Sequence, residues 1–132
     1  MTEQHVIPVE IHDHLSPPPR EAHPMPINLF VTDRYVVIHA GLPRCRPDRI
    51  EVLVAPGEVL IRAERHEGEP ADVVRAYLLS ELPFGTIARI IGLPDGKWVY
   101  HEAEAHFANG LLTVTIPTEE RATYLHQMQA SV

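Results

Sequence analysis

The sequence predicts an all-β domain, an immunoglobulin-like sandwich of two antiparallel sheets. Three observations favour this class. Short stretches in which apolar and polar residues alternate recur along the chain, and turn-forming pairs such as Pro56-Gly57 and Asn109-Gly110 lie between them. The last stretch forms a predicted hairpin, which is only marginally stable by itself and therefore needs partner strands.

The predicted hairpin lies near the end of the chain. Leu112, Val114 and Ile116 alternate with two threonines, which is the pattern of a strand with one apolar face. Asn109-Gly110 tolerates the positive backbone dihedrals of a tight turn, so the preceding residues fold back as an antiparallel partner. Pro117 ends the strand, because it has no amide hydrogen to donate.

Composition narrows the class of protein. A chain of 132 residues fits one domain with flexible ends, and its single cysteine, Cys45, permits no intrachain disulfide, as expected in a reducing cytoplasm. The polar start is not a secretory signal, and no apolar run approaches the roughly 20 residues of a membrane span. The net charge of −7 argues against a nucleic-acid surface. We therefore expect a cytoplasmic protein without nucleic-acid or membrane partners.

Residues 1–26 are rich in proline and are predicted to form an extended arm. Within the arm, Ile7, Val9 and Ile11 are spaced two apart, so their side chains point the same way on an extended segment. Burying such a side chain contributes about 1.5 to 3 kcal/mol. We therefore take the three residues as candidates for docking into a groove. The alternative is a disordered arm with a chance apolar run.

Four further strands precede the hairpin in the middle of the chain. Asp33-Arg34 joins the first two and Pro56-Gly57 joins the next two. The predicted ranges are 27–32, 35–40, 50–54 and 59–65. Cys45 falls in a loop with three arginines, which are predicted to lower its pKa if they approach it.

The second half of the chain contributes a loop, a strand and core aromatics. Residues 67–72 are polar, and residues 73–79 form a short strand candidate. At least one of Trp98 and Tyr100 is expected in the core. After the hairpin, Thr118 is a candidate cap of a short helix.

Several ordered motifs resemble the α-crystallin domain of the small heat-shock proteins, and together they cover residues 27–117. Near the end, Ala105, Gly110 and Leu112 match the Ala, Gly and Leu that precede the family's last strand. Upstream lie similar landmarks: Ala40-Gly41-Leu42-Pro43; Asp48, Ile50 and Val52; Ile61, Glu64 and Arg65; and residues 81–94, which include Glu81, Gly85, Arg89 and Leu93-Pro94. The resemblance divides the chain into an arm (1–26), an α-crystallin-like domain (27–117) and a tail (118–132).

The resemblance implies a strand-swapped homodimer of the bacterial type. In such members the loop before residue 81 carries a strand that pairs with the neighbouring subunit, which here places five residues and Arg89 at the dimer interface. The loop residues are Val73, Val74, Arg75, Tyr77 and Leu78. The alternatives are a mobile flap on a monomer and, for Arg89, a solvated strand face.

The resemblance also bears on larger oligomers. Family members use an Ile-x-Ile/Val pair, usually in the C-terminal tail, to dock on a neighbour. This tail has none, whereas Ile7-Pro8-Val9 has the spacing at the opposite end of the chain.

The implied function is an ATP-independent holdase, a chaperone that binds partly unfolded client proteins and prevents their aggregation under stress. It needs no cofactor, metal or catalytic residue. His12-Asp13-His14 has the spacing of metal ligands, but it lies in a proline-rich arm without a rigid frame. The alternative function is a non-enzymatic, co-chaperone-like adaptor that binds one specific partner.

Overall fold

The structure is a computed structural model that describes residues 3–18, 20, 22–66 and 76–119. In it, strands with alternating apolar side chains form two facing sheets. A five-stranded sheet has the order β1-β8-β9-β4-β3, and a four-stranded sheet has the order β2-β5-β6-β7. The predicted all-β sandwich is confirmed. The strands are β1 (His5–Ile7), β2 (Val9–Ile11), β3 (Ile27–Val31), β4 (Tyr35–Gly41), β5 (Cys45–Ala55), β6 (Glu58–Arg65), β7 (Gly85–Gly92), β8 (Glu104–Ala108) and β9 (Leu111–Pro117).

The hairpin of β8 and β9 forms as the sequence predicts. Asn109 and Gly110 have φ angles of 53° and 75°, as a tight turn between antiparallel strands requires. Leu112, Val114 and Ile116 are at most 1% exposed, so the alternation places one face of β9 in the core. β9 then pairs with β4 on its other side, which makes the hairpin the centre of the five-stranded sheet.

The turn between β3 and β4 is held by a side chain. The hydroxyl oxygen of Thr32 accepts hydrogen bonds from the backbone N–H groups of Arg34 and Tyr35, at 3.1 and 3.0 Å. This local bonding satisfies backbone donors that the tight turn leaves without strand partners. Among the described residues, β3 pairs only with β4 and therefore forms one edge of its sheet.

The four-stranded sheet is centred on β5 and β6. The Pro56-Gly57 turn joins them, and the φ of 82° at Gly57 suits a residue without a side chain. Ile50, Val52 and Val54 face the core, as their alternation predicts. β5 begins at Cys45, five residues earlier than predicted, because a register shift between Cys45 and Ile50 lets the strand continue past an irregular stretch.

Trp98 belongs to the core, as expected. Its side chain is 7% exposed, and its indole Nε1 donates a 2.8 Å hydrogen bond to the carbonyl of Pro94. Tyr100, in a single 3-10 turn (Tyr100–Glu102), packs against the core as well. Thr118 is buried in a backbone bridge with Trp98, and the helix predicted after it lies outside the described residues.

The N-terminal segment predicted as an extended arm contributes a strand to each sheet. β1 pairs antiparallel with β8, and β2 pairs parallel with β5. Both are edge strands, and Pro8 lies between them, where no sheet requires its missing N–H. The β2–β5 pair is the parallel exception among the strand pairs of the described residues.

Candidate functional site

The three predicted docking residues lie along the gap between β8 of one sheet and β5 of the other, which we call the seam. We call residues His5–Ile11, which cover it, the docking segment. Ile7 is 2% exposed and belongs to the core, and Val9 packs against that core from the other sheet. Ile11 is 49% exposed, although its strand is paired. The segment therefore buries Ile7, packs the partly buried Val9 against the core and presents Ile11 to solvent.

The register explains how Ile7 fits. It lies directly opposite Ala105 on β8, while Val9 lies opposite Val52 on β5. Ala105 is 1% exposed and has only a methyl side chain, which leaves room for the larger side chain of Ile7 across the pair. The alanine that begins the hairpin motif is thus the neighbour of the docked isoleucine.

The segment before β7 presents apolar side chains to solvent. Leu78 and Leu79 are 100% and 76% exposed, and Tyr77 and Leu82 are each 48% exposed. The Tyr77 ring lies 5.9 Å from that of Phe84. Residues 76–79, the described part of the predicted strand, form none in the single chain, whereas Val73, Val74 and Arg75 lie outside the described residues.

Arg89 lies on β7, at the opposite edge of the four-stranded sheet from the docking segment. Its side chain donates a 3.1 Å hydrogen bond to the carbonyl of Met25. Met25 is 1% exposed, and His23 makes a backbone bridge with Ile87 on β7. The arm therefore has a second attachment, far from the first. Sequence reasoning missed it, since neither Met25 nor His23 stands in an alternating pattern.

Arg65 is a second residue whose structural role the sequence did not reveal. Although charged, it is 6% exposed at the end of β6. Its guanidinium donates to the carbonyls of Pro43 and Pro83, at 2.9 and 3.3 Å. These hydrogen bonds compensate for the cost of burying the guanidinium charge, and they connect the loop before β5 to the segment that leads into β7.

The pKa of the Cys45 thiol differs from the sequence expectation. The prediction that neighbouring arginines lower its pKa is wrong. Burial raises the pKa of Cys45 above its ordinary value, and the charge of Arg65, on the paired strand, offsets this only in part. A buried neutral thiol is a poor nucleophile.

The described residues provide no arrangement typical of a metal centre. Within residues 3–18, 20, 22–66 and 76–119, no three potential ligands among His, Cys, Asp and Glu converge. Among the same residues, no helix has the length and apolar character needed to cross a lipid bilayer.

Comparison with known proteins agrees with this geometry. The model of the Hsp20/alpha crystallin family matches residues 29–130. The 18 kDa antigen 1 of Mycobacterium avium is 29% identical over 98 residues, which are 74% of this chain; the chain spans only 64% of that protein's length.

Two solved structures are similar in sequence and fold. Heat shock protein 16.0 from Schizosaccharomyces pombe has a TM-score of 0.65 at 29% identity, covering 74% of this chain and 88% of its own. The hspA protein from Xanthomonas axonopodis has a TM-score of 0.63 at 27% identity, covering 75% and 97%.

Proposed function

The chain belongs to the Hsp20/alpha crystallin family, the small heat-shock proteins, and on that premise we propose that it is an ATP-independent holdase that binds partly unfolded proteins. Membership supports a chaperone role in general, and the family is known as a non-enzymatic one. The observation that carries the proposal for this chain is the exposed apolar segment before β7. Unfolding proteins expose apolar side chains, and a surface of the same character binds them by excluding water.

The exposed apolar residues lie outside the strands or on an edge strand, where an extended client can approach. Residues 76–84 belong to no strand, and β3 presents its outer edge together with exposed Leu29 and Phe30. An edge strand offers backbone donors and acceptors to another extended chain, while neighbouring side chains add apolar contact. Such binding requires no covalent step and no nucleotide.

The holdase is tested by light scattering from a heated reporter protein mixed with the full chain, with and without ATP. We expect suppression near stoichiometric ratios and no effect of ATP. No suppression at any ratio, with the fold intact by circular dichroism, would contradict the proposal and favour the single-partner adaptor.

A matched pair of variants tests the surface. Leu78→Glu places a charge on a fully exposed apolar position, whereas Ser80→Glu adds the same charge at an exposed polar position two residues away. We expect Leu78→Glu to need several-fold more chaperone for the same suppression, and Ser80→Glu to behave as wild type. Equal suppression by the two variants would exclude this segment as the client surface.

We further propose a strand-swapped homodimer in which Val73, Val74, Arg75, Tyr77 and Leu78 pair with the partner's sheet. The assembly of related small heat-shock proteins supports self-association. The exposure of Tyr77 and Leu78 in the single chain supports their burial by a partner, and the open edge of β3 is a suitable acceptor. The dimer then shields this client surface until heat loosens the pairing and exposes it to unfolding proteins. Arg89 then contributes an interface ion pair in addition to its bond with Met25.

Deletion of residues 67–79 tests the dimer by native mass. We expect the dimer to become a monomer that keeps its β circular dichroism spectrum. A dimer that persists after the deletion would contradict the swapped loop, and a full-length chain that is already monomeric would favour the flap. We place the protein in the cytoplasm, since its single cysteine permits no intrachain disulfide, which suits a reducing compartment.

A further inference from the structure

The outer face of the five-stranded sheet is aromatic where β3 and β4 meet. On β4, alternate residues from Val36 to Ala40 belong to the core, so the residues between them point outward. Phe30 on β3 lies directly opposite the outward-facing Val37, and its ring packs edge-on against His39 at 5.1 Å. We call this surface the aromatic face, and it consists of Phe30, Tyr35, Val37 and His39.

The aromatic face differs from the rest of the same surface. An antiparallel sheet with one buried face ordinarily presents polar side chains on the other. On the aromatic face, Phe30 and Tyr35 are instead 42% and 36% exposed. The outward positions of β8 and β9 that continue its rows follow the ordinary rule, and they are Glu104, His106, Thr113 and Thr115. Two adjoining aromatic side chains on an outward face indicate a surface that a further element covers.

The chain leaves the sheet beside this face. β9 ends at Pro117, which pairs with Tyr35. The N–H of Thr118 then donates a 3.1 Å hydrogen bond to the carbonyl of Arg34, in the turn between β3 and β4. The structure describes one further residue, and residues 120–132 follow. As a helix they are about 20 Å long at about 1.5 Å per residue, which is close to the length of β4 at about 3.3 Å per residue.

The sequence of residues 120–132 has the pattern of an amphipathic helix. Tyr124, Leu125 and Met128 lie on one side of such a helix, because they are spaced three and four residues apart. Thr123 lies on the opposite side, and no proline or glycine interrupts the segment. A helix of this length is marginal in water by itself, so it needs an apolar surface on which to pack.

Arg121 adds a complementary charge near the start of the helix. It precedes Tyr124 by three residues, so the two side chains share one side of the helix. A polar pocket beside Tyr35 is lined in part by Glu102 and Glu104. Opposite charges therefore meet where the helix reaches the sheet, and the apolar side chains follow further along.

We propose that residues 120–132 form a C-terminal helix that packs on the aromatic face of the same chain. Tyr124, Leu125 and Met128 contact the face, and Arg121 lies against the polar pocket. Leu29 and the backbone edge of β3 stay uncovered, because Leu29 lies opposite the core residue Ile38 and points to the other side of the sheet. The tail thus completes the fold of its own subunit, whereas client binding and loop pairing use the edge.

Photo-crosslinking from the tail tests this contact directly. Benzoylphenylalanine replaces Tyr124 in one variant of the full chain and Thr123 in a matched variant. After irradiation and trypsin digestion, fragmentation in a mass spectrometer locates the bond. We expect the Tyr124 variant to crosslink to the aromatic face, in the peptides 21–34 and 35–44, with a yield several-fold above that of the Thr123 variant. Equal yields from the two variants, or bonds elsewhere, would overturn the proposal.

Isotopes distinguish packing within a chain from packing between chains. Chains grown on ordinary and on heavy nitrogen are mixed and equilibrated by warming before irradiation. We expect the two peptides of each crosslink to carry the same isotope. Crosslinks between differently labelled peptides would overturn the placement on the same chain and assign the face to the tail of a second copy.

Hydrogen exchange of the tail amides is a second measurement, which needs no crosslink. We expect residues 122–132 to exchange about ten-fold more slowly in the full chain than in an isolated peptide of the same sequence. Phe30→Glu is expected to remove this protection. Ile90→Glu, at a residue of similar exposure on the outer face of the other sheet, is expected to keep it.

Two results of the exchange measurement would contradict the helix. One is exchange in the full chain as fast as in the isolated peptide. The other is an equal loss of protection in the Phe30 and Ile90 variants, which would show that the aromatic face is not the contact. Neither result depends on client binding or on the swapped loop, so the holdase proposal stands or fails separately.

Discussion

Replacing Ile7 by alanine measures how much the docking segment contributes to the fold. The side chain is 2% exposed, and the change removes three carbon groups from the core. At about 0.8 kcal/mol for each buried carbon group, the transfer cost is about 2.4 kcal/mol. A cavity adds to this cost in a rigid core, where such replacements cost about 2–5 kcal/mol. Because β1 is an edge strand that can shift or undock, we expect a loss of about 2–3 kcal/mol.

The matched control is Val6→Ala on the same strand. Val6 is 73% exposed and faces away from the core, so its replacement is expected to change the free energy of unfolding by less than about 0.5 kcal/mol. Urea unfolding is followed by Trp98 fluorescence and by circular dichroism. The protein concentration is kept fixed, because self-association contributes to apparent stability.

Two outcomes of this comparison are informative. A midpoint that falls for Ile7→Ala and stays constant for Val6→Ala confirms that the segment is part of the cooperative fold. Equal midpoints for the two variants would refute the reasoning, since replacing a buried core residue destabilises the fold more than replacing an exposed one. The double replacement of Ile7 and Val9 by alanine is expected in addition to lower the assembly state, and an unchanged native mass would show that these residues do not contribute to assembly.

Three other predictions concern single residues. Gly110→Ala is expected to lower the free energy of unfolding by about 1–2 kcal/mol, measured by thermal unfolding, because Gly110 has a φ of 75°. The loss is expected to exceed that of Gly92→Ala, where an added Cβ meets nothing within 4 Å. Trp98→Phe removes the donor to Pro94 and is expected to cost about 1–2 kcal/mol in urea; an unchanged midpoint would contradict this. Because burial raises the pKa of Cys45, its thiol is expected to react with iodoacetamide at pH 8 far more slowly than a free thiol. Ionisation of this thiol destabilises the fold only as the pH rises above about 8.5. Rapid labelling of the native chain would contradict both expectations.

The sequence was sufficient to predict local structure where the residues that determine it are close together in the chain. The hairpin is an example, because Asn109-Gly110 supplies the positive φ angles and the alternation through Leu112 selects the buried face within a few residues. The turns at Asp33-Arg34 and Pro56-Gly57 were predicted for the same reason. Trp98 was predicted correctly as a core residue, since a large aromatic side chain gains most from burial.

The docking residues were predictable as apolar and extended, but their location was not. Ile7 lies opposite Ala105, almost one hundred residues away, and Val9 lies opposite Val52 in the other sheet. No local pattern states which strand edges are open, because that depends on how the remaining strands are ordered. For the same reason, the attachment of Met25 and His23 to β7 had no signal in the sequence.

By itself, the sequence determined the class of fold, its turns, its alternating strands and the apolar character of the arm, since each depends on neighbouring residues. Tertiary structure decided which edges the arm covers. It also placed Arg65 beside the buried Cys45, in place of the arginines adjacent in sequence. The physical reason is that strand pairing and burial join residues far apart in the chain, so the environment of a side chain exists only once both sheets have formed.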